Sequence, residues 1–207
     1  MAYKPIENYG IIGDLNTVAL VGMDGSIDFM CFPRFDSPTI FGALLDPEQG
    51  GHFKLAPVIE EARQKQLYMP DSVILLTRFL APEGVAEVSD FMPVQELGHA
   101  HDLVRRAKAV RGTIPFRMEC APRFNYGRSP HRVETHKDHV LFISEGPDKT
   151  ALRLRSQIPP RIENGAAIAE FQLHSGQTAH FTLEDVHCSE TSPSAAPHYV
   201  PEAFKQT

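Results

Sequence analysis

Apolar and polar residues alternate with period two along most of this chain, and glycine, proline, serine or aspartate interrupts the alternation every few residues. Successive side chains of a strand point to opposite faces, so the pattern predicts strands with one face on a core and one in water. Residues 18–21 and 27–32 flank Met23-Asp24-Gly25-Ser26, and an Asp-Gly pair between apolar runs predicts a hairpin. Residues 72–80 and 85–92 flank Ala81-Pro82-Glu83-Gly84 as a second hairpin. Ile114, Phe116, Met118 and Cys120 alternate with Arg117 and Glu119, and Leu152 and Leu154 with Arg153 and Arg155. Phe171 and Leu173 lead through a Ser175-Gly176 turn to Phe181 and Leu183, with Thr182 and Glu184 expected to face outward.

Helical signals are few. Residues 41–45 predict one turn, and residues 60–68 a short polar helix. The 17 prolines argue against long helices, because each removes a backbone donor and clashes with the preceding turn. Many short strands separated by turns predict an all-β fold, a large antiparallel β-sandwich (super-sandwich) with few short helices. Residues 189–201 collect serine, proline and alanine without periodicity, and residues 202–207 turn faintly helical. The expected division is a sandwich over 1–188 and, over 189–207, the start of a linker toward another unit.

A chain of 207 residues can bury a sizeable core without metal or disulfide staples. Its formal net charge of −6 argues against a nucleic-acid partner, which calls for a basic excess on one face. No apolar stretch approaches the ~18 residues of a membrane span, and MAYKPIENYG lacks the apolar run of a secretory signal. A cytoplasmic location without membrane contact is the expectation. Cys31, Cys120 and Cys188 are far apart and form no C-x-x-C pair, so reduced thiols are expected, with Cys31 and Cys120 packed as small core hydrophobes.

The candidate chemistry is sparse. His99 and His101, and separately His131, His136 and His139, are the histidine clusters, but no further ligand is spaced to complete a site. Solvated histidines, no metal and no cofactor are expected. Arg105, Arg106, Lys108 and Arg111 form the densest basic run; on a strand these charges divide between two faces, which predicts a solvated or interface strand rather than a phosphate site. Nucleotide-loop, zinc-protease and nucleophile-elbow motifs are all absent. The 26 carboxylates nominate no acid/base pair by spacing, so no catalytic residue is assigned.

Two stretches join proline, arginine and an aromatic ring directly after a strand: Phe32-Pro33-Arg34-Phe35-Asp36-Ser37-Pro38 and Pro122-Arg123-Phe124-Asn125-Tyr126-Gly127-Arg128. Rigid loops of this make suit contact with a partner domain, or an arginine paired with a local acid. At these residues the sequence resembles the amino terminus of bacterial glucoamylase- and trehalase-like proteins of glycoside hydrolase family fifteen. Ile6-Glu7-Asn8-Tyr9-Gly10-Ile11-Ile12-Gly13-Asp14, residues 24–38, Val88-Ser89-Asp90-Phe91-Met92-Pro93 and residues 121–128 carry the resemblance in one order, over nearly the whole chain. One departure stands at Phe29, where many relatives carry tryptophan.

The resemblance implies a non-catalytic β-sandwich that precedes an (α/α)-barrel catalytic domain, packs on it and stabilises it. The parent would be an inverting α-glucoside hydrolase whose two catalytic carboxyls lie in the barrel. Arg34, Phe35, Asp36, Asn125, Tyr126 and Arg128 are then the candidates for the domain interface or the rim of the sugar pocket. The chain is expected to stop short of the tryptophan-bearing segment leading to the barrel, in keeping with its having no tryptophan. A free-standing carbohydrate-binding module is the alternative, and a self-sufficient hydrolase ranks last. Self-association through a face that the barrel normally covers is a further expectation.

Overall fold

The computed structural model describes residues 3–93, 102–186 and 198–207, which leaves His99, His101 and Cys188 outside the described residues. The strands form two antiparallel sheets of eight strands each. The first holds β1 (Tyr9–Gly13), β2 (Val18–Gly22), β3 (Ser26–Cys31), β4 (Thr39–Phe41), β5 (His52–Pro57), β10 (Thr113–Ala121), β14 (Arg161–Glu163) and β15 (Ala166–His174). Its order is β1-β2-β3-β5-β10-β15-β14, with β4 also paired to β3. The second holds β6 (Arg63–Tyr68), β7 (Leu75–Ala81), β8 (Gly84–Phe91), β9 (Asp102–Arg111), β11 (His131–Thr135), β12 (His139–Ser144), β13 (Ala151–Ser156) and β16 (Thr178–Asp185). Its order is β11-β12-β13-β16-β9-β8-β7-β6. This is the all-β sandwich that the alternation predicts.

Both hairpins form where the turn residues place them. Gly25 adopts φ +79°, and a Cβ there would lie 2.3 Å from the Leu55 carbonyl oxygen, so only glycine fits. Phe53, Leu55, Phe116 and Met118 of the first sheet meet Val88, Leu103, Phe181 and Leu183 of the second in one continuous core. Each such side chain stabilises the fold by about 1.5–3 kcal/mol relative to exposure.

Several expectations need correction. Residues 63–68 are not helical but form β6, paired along its length to β7 at the edge of the second sheet. An edge strand that is solvated on both faces carries no period-two signal, and its Arg63 and Lys65 suit an open edge. Phe41 ends β4, and the predicted turn follows it, with Leu45 N and Asp46 N both donating to Gly42 O. Thr182 and Glu184 are buried rather than outward in water, since Arg153 Nη1 (3.2 Å) and Arg155 Nε (2.8 Å) lie on the Glu184 carboxylate. Cys120 is fully buried as expected, whereas Cys31 is only partly covered.

The basic run lies on β9 and does divide between faces, but Arg105 is wholly buried between the sheets. It stands directly opposite Asp90 on β8 and donates to it from Nε at 2.8 Å. From there it crosses to the first sheet, donating to the carbonyls of Phe53 and Gly25 and stacking 4.9 Å over the Phe53 ring. A solvated arginine and this one give the same local sequence; the difference is the carboxylate that the register places beside it.

The faintly helical tail is a helix over Tyr199–Gln206. Its Val200 and Ala203 cover Ile74, Leu76, Phe91 and Val104 on the outer face of the second sheet. Phe204 meets the Phe91 ring edge-on at 5.9 Å with the Arg106 guanidinium 4.6 Å above it, and Tyr199 donates its hydroxyl proton to Asp102.

Candidate functional site

Strands β3 and β10 are both antiparallel to β5, which lies between them, so they run in the same direction. The two Pro-Arg-aromatic loops that follow them therefore leave the sandwich at the same end. The first loop turns back into β4, and the second is tied to it by Arg123 N donating to Ile40 O at 2.9 Å. In the first loop, Phe32 is buried and the Phe32–Pro33 bond is cis. Phe35 N donates to Asn16 O at 2.8 Å, and Arg34 Nε pairs with Asp36 Oδ1 at 3.3 Å. Arg34, Phe35 and Asp36 all project into solvent. The pair is local and exposed, worth at most about 1 kcal/mol.

In the second loop Phe124 is the buried anchor, its ring 5.6 Å from that of His131. Asn125 and Tyr126 take left-handed conformations, with φ 50° and 58°. That reversal lets Arg128 N donate to Asn125 O and Ser129 N to Phe124 O. Tyr126 and Arg128 point outward, while Asn125 is half-buried. The structure thus gathers the six residues singled out in the sequence at one end of the first sheet. Among the described residues no hydrogen bond or ion pair joins the Arg34 group to the Tyr126 group, so they share one end of the sheet without forming one cluster.

A second constellation lies on the outer face of the first sheet and was not singled out by sequence reasoning. Ser26 and Asp28 of β3, His52 and Lys54 of β5, and Arg117 and Glu119 of β10 are brought side by side by the register. Asp28 is buried and saturated: Lys4 Nζ (2.6 Å) and Tyr9 Oη (2.7 Å) donate to Oδ2, and Ser26 Oγ (2.5 Å) to Oδ1. Lys4 also pairs with Asp24 at 2.7 Å. The sequence signal was a carboxylate among the apolar residues of β3, but two of its three partners, Tyr9 and Lys4, lie 19 and 24 positions away.

Burial alone would favour the neutral forms here. It is outweighed by the contacts of Lys4 with Asp24 and Asp28, which hold the Lys4 ammonium above its ordinary value and Asp24 below its own. Burial, with the Asp28 carboxylate adding to it, pushes the Tyr9 phenol up. His52 is held below the ordinary imidazole value by burial, against the pull of Glu119 Oε1 at 3.6 Å from Nε2. His180, half-buried opposite Arg106 on the other sheet, is lowered too.

Because both histidines titrate lower in the folded state, the unfolded chain takes up protons first as pH falls. Their contribution to stability is complete above the unfolded value of about 6.5 and is lost as pH drops through the folded ones. Urea denaturation at about pH 7.5 and about pH 5 is expected to show a lower midpoint in acid, and His52→Gln should flatten that dependence. An unchanged slope in His52→Gln would mean that burial does not act on this ring. No group of three or more histidine, cysteine or acidic residues able to hold a metal occurs among the described residues, His136 and His139 being stacked on each other at 4.5 Å.

A family profile described as "Trehalase-like, N-terminal" matches residues 2–181. The chain belongs to the trehalase-like N-terminal family. The matched span contains both end loops and the whole outer-face constellation, and it ends within β16, before the C-terminal helix. Curated relatives of this trehalase-like N-terminal domain include the trehalase of Mycolicibacterium smegmatis, 30% identical over 203 residues, with 87% of this chain and 30% of that protein covered. Trehalase 1 of Sulfolobus acidocaldarius is 36% identical over 159 residues, covering 77% of this chain and 26% of that protein. The trehalase of Thermoplasma volcanium is 29% identical over 163 residues, with 77% and 26% covered. The chain therefore spans under a third of the length of these relatives.

Proposed function

We propose that this chain serves as the non-catalytic N-terminal β-sandwich of a glucoamylase- or trehalase-like α-glucoside hydrolase of glycoside hydrolase family fifteen. It packs on an (α/α)-barrel catalytic domain, stabilises it, and lends its end loops to the pocket rim or the domain interface. The observation that carries this reading is the family match over residues 2–181, in a chain spanning 30% of the length of a relative named trehalase. The outward display of Arg34, Phe35, Asp36, Tyr126 and Arg128 at one end of the sandwich supports it, since exposed side chains on anchored loops are suited to contact. Residues 1–188 act as the sandwich and 189–207 as the lead toward the barrel, in a cytoplasmic enzyme. No helix among the described residues is long and apolar enough to cross a membrane.

The test uses the full-length parent enzyme. Arg34→Ala and Arg128→Ala are each expected to lower kcat/KM on an α-glucoside, or the thermal stability of the two-domain protein. In the 207-residue chain the same changes should shift stability by no more than about 0.5 kcal/mol, because both side chains are exposed. Unchanged kinetics and unchanged stability in the parent would remove these loops from the rim and the interface.

A further inference from the structure

Two adjoining cavities open on the outer face of the first sheet, of about 250 Å³ and about 360 Å³, and both are lined by His52 and Pro47. Tyr3, Tyr9, Asp24 and Lys54 line the smaller, and Arg117, Arg123, Glu119 and Glu163 the larger. Cations and carboxylates nearly balance in each, so a charged ligand gains no net attraction, and most of these charges are already paired with one another, which leaves His52, Arg123 and Lys54 as the groups best placed to meet a neutral ligand. His52 is half-buried at the waist, and its contact with Glu119 Oε1, 3.6 Å from Nε2, is longer than a hydrogen bond. The ring is held neutral near pH 7 by burial, so it offers one donor and one acceptor, as a hydroxyl partner requires. Among the described residues, the Arg123 guanidinium donates only to its neighbouring carbonyl, Pro122 O at 3.0 Å, and Lys54 Nζ holds only a 3.4 Å contact with Asp24.

We propose that this face binds a short neutral saccharide, one ring in each of the two cavities, with His52 between them. The smaller cavity is below and the larger just above the low end of the about 300–1,000 Å³ of drug-sized sites, which suits one pyranose ring apiece. Tyr3, exposed at the edge of the smaller cavity, supplies the aromatic ring that tryptophan would otherwise provide. The choice of sugar rests on the α-glucoside reading above; the two-ring, polar and uncharged character of the ligand rests on the cavities.

The experiment titrates the purified 207-residue chain with trehalose, maltose, soluble starch and, separately, sodium phosphate, and follows the His52 imidazole resonances by NMR. Trehalose or maltose should produce a saturable shift with a millimolar Kd, and a response to starch alone would overturn the two-ring site. Arg123→Gln and Tyr3→Ala, both away from the core, should each weaken disaccharide binding at least about tenfold, while Val110→Ser on the other sheet should not. The absence of a saturable disaccharide shift, a stronger response to phosphate, or binding that survives both variants would overturn the proposal. Glucose release by the parent enzyme plays no part in this readout, so the site and the accessory-domain reading can fail independently.

Discussion

Replacing Arg105 with methionine is expected to destabilise the domain by about 3–5 kcal/mol, enough to unfold much of a marginally stable chain. The substitution keeps an apolar stem of similar reach but leaves the fully buried Asp90 carboxylate without the guanidinium that donates to it at 2.8 Å. It also removes donors from the Phe53 and Gly25 carbonyls, and so cuts the polar tie between the two sheets. The double variant Arg105→Met with Asp90→Leu should recover part of the loss, since a buried pair replaced as a unit costs far less than one broken in half. Recovery should be incomplete because Phe53 O loses a donor in either case. Urea denaturation of the two single variants and the double variant closes the cycle. A single Arg105→Met costing less than about 1 kcal/mol would mean that this pair does not hold the sandwich together.

Truncation of Phe181 to alanine should cost about 3–5 kcal/mol. Phe181 is fully buried on β16 and lies 5.7 Å from the Phe171 ring, which in turn stacks on Phe116 at 5.6 Å and 9°. The three rings form a row that crosses from one sheet to the other. Alanine would open a cavity in the middle of that row, where the sheets, pinned by their hydrogen-bonded neighbours, cannot close the gap. Phe181→Leu should cost markedly less, because most of the volume remains. A thermal melt in which the alanine variant stays within about 0.5 kcal/mol of the wild type would contradict the assignment of this row to the core.

Most of the fold is legible in the sequence, for a physical reason. A strand with one face on the core must alternate, and Ile114 through Cys120 do so because Arg117 and Glu119 face water while their neighbours face the other sheet. The Asp24-Gly25 hairpin is legible because only glycine accepts the backbone at that turn. The sequence is silent where both faces share one environment, as in the polar edge strand Arg63–Tyr68. It misleads where long-range register decides burial. Nothing near Arg105 announces that Asp90 stands across from it, or that Arg153 and Arg155 close over Glu184.

The candidate site divides the same way. Arg34, Phe35, Asp36, Tyr126 and Arg128 were recognisable as exposed loop residues from their proline and glycine neighbours. Their common placement depends on β3 and β10 running in the same direction on either side of β5, which becomes readable only once strand order is known. The outer-face constellation was out of reach for local reasoning, because Lys4, Tyr9, Asp28 and His52 come from separate segments and meet only in the assembled sheet.

The role proposed for this trehalase-like N-terminal domain is to assist hydrolysis without performing it. It is tested most directly by assaying glucose release from trehalose, maltose and soluble starch, with the purified 207-residue chain beside a version extended through the following domain. Activity in the extended protein alone is the predicted result. Activity in the short chain that survives repurification would contradict the account and require a catalytic pair among its own 26 carboxylates.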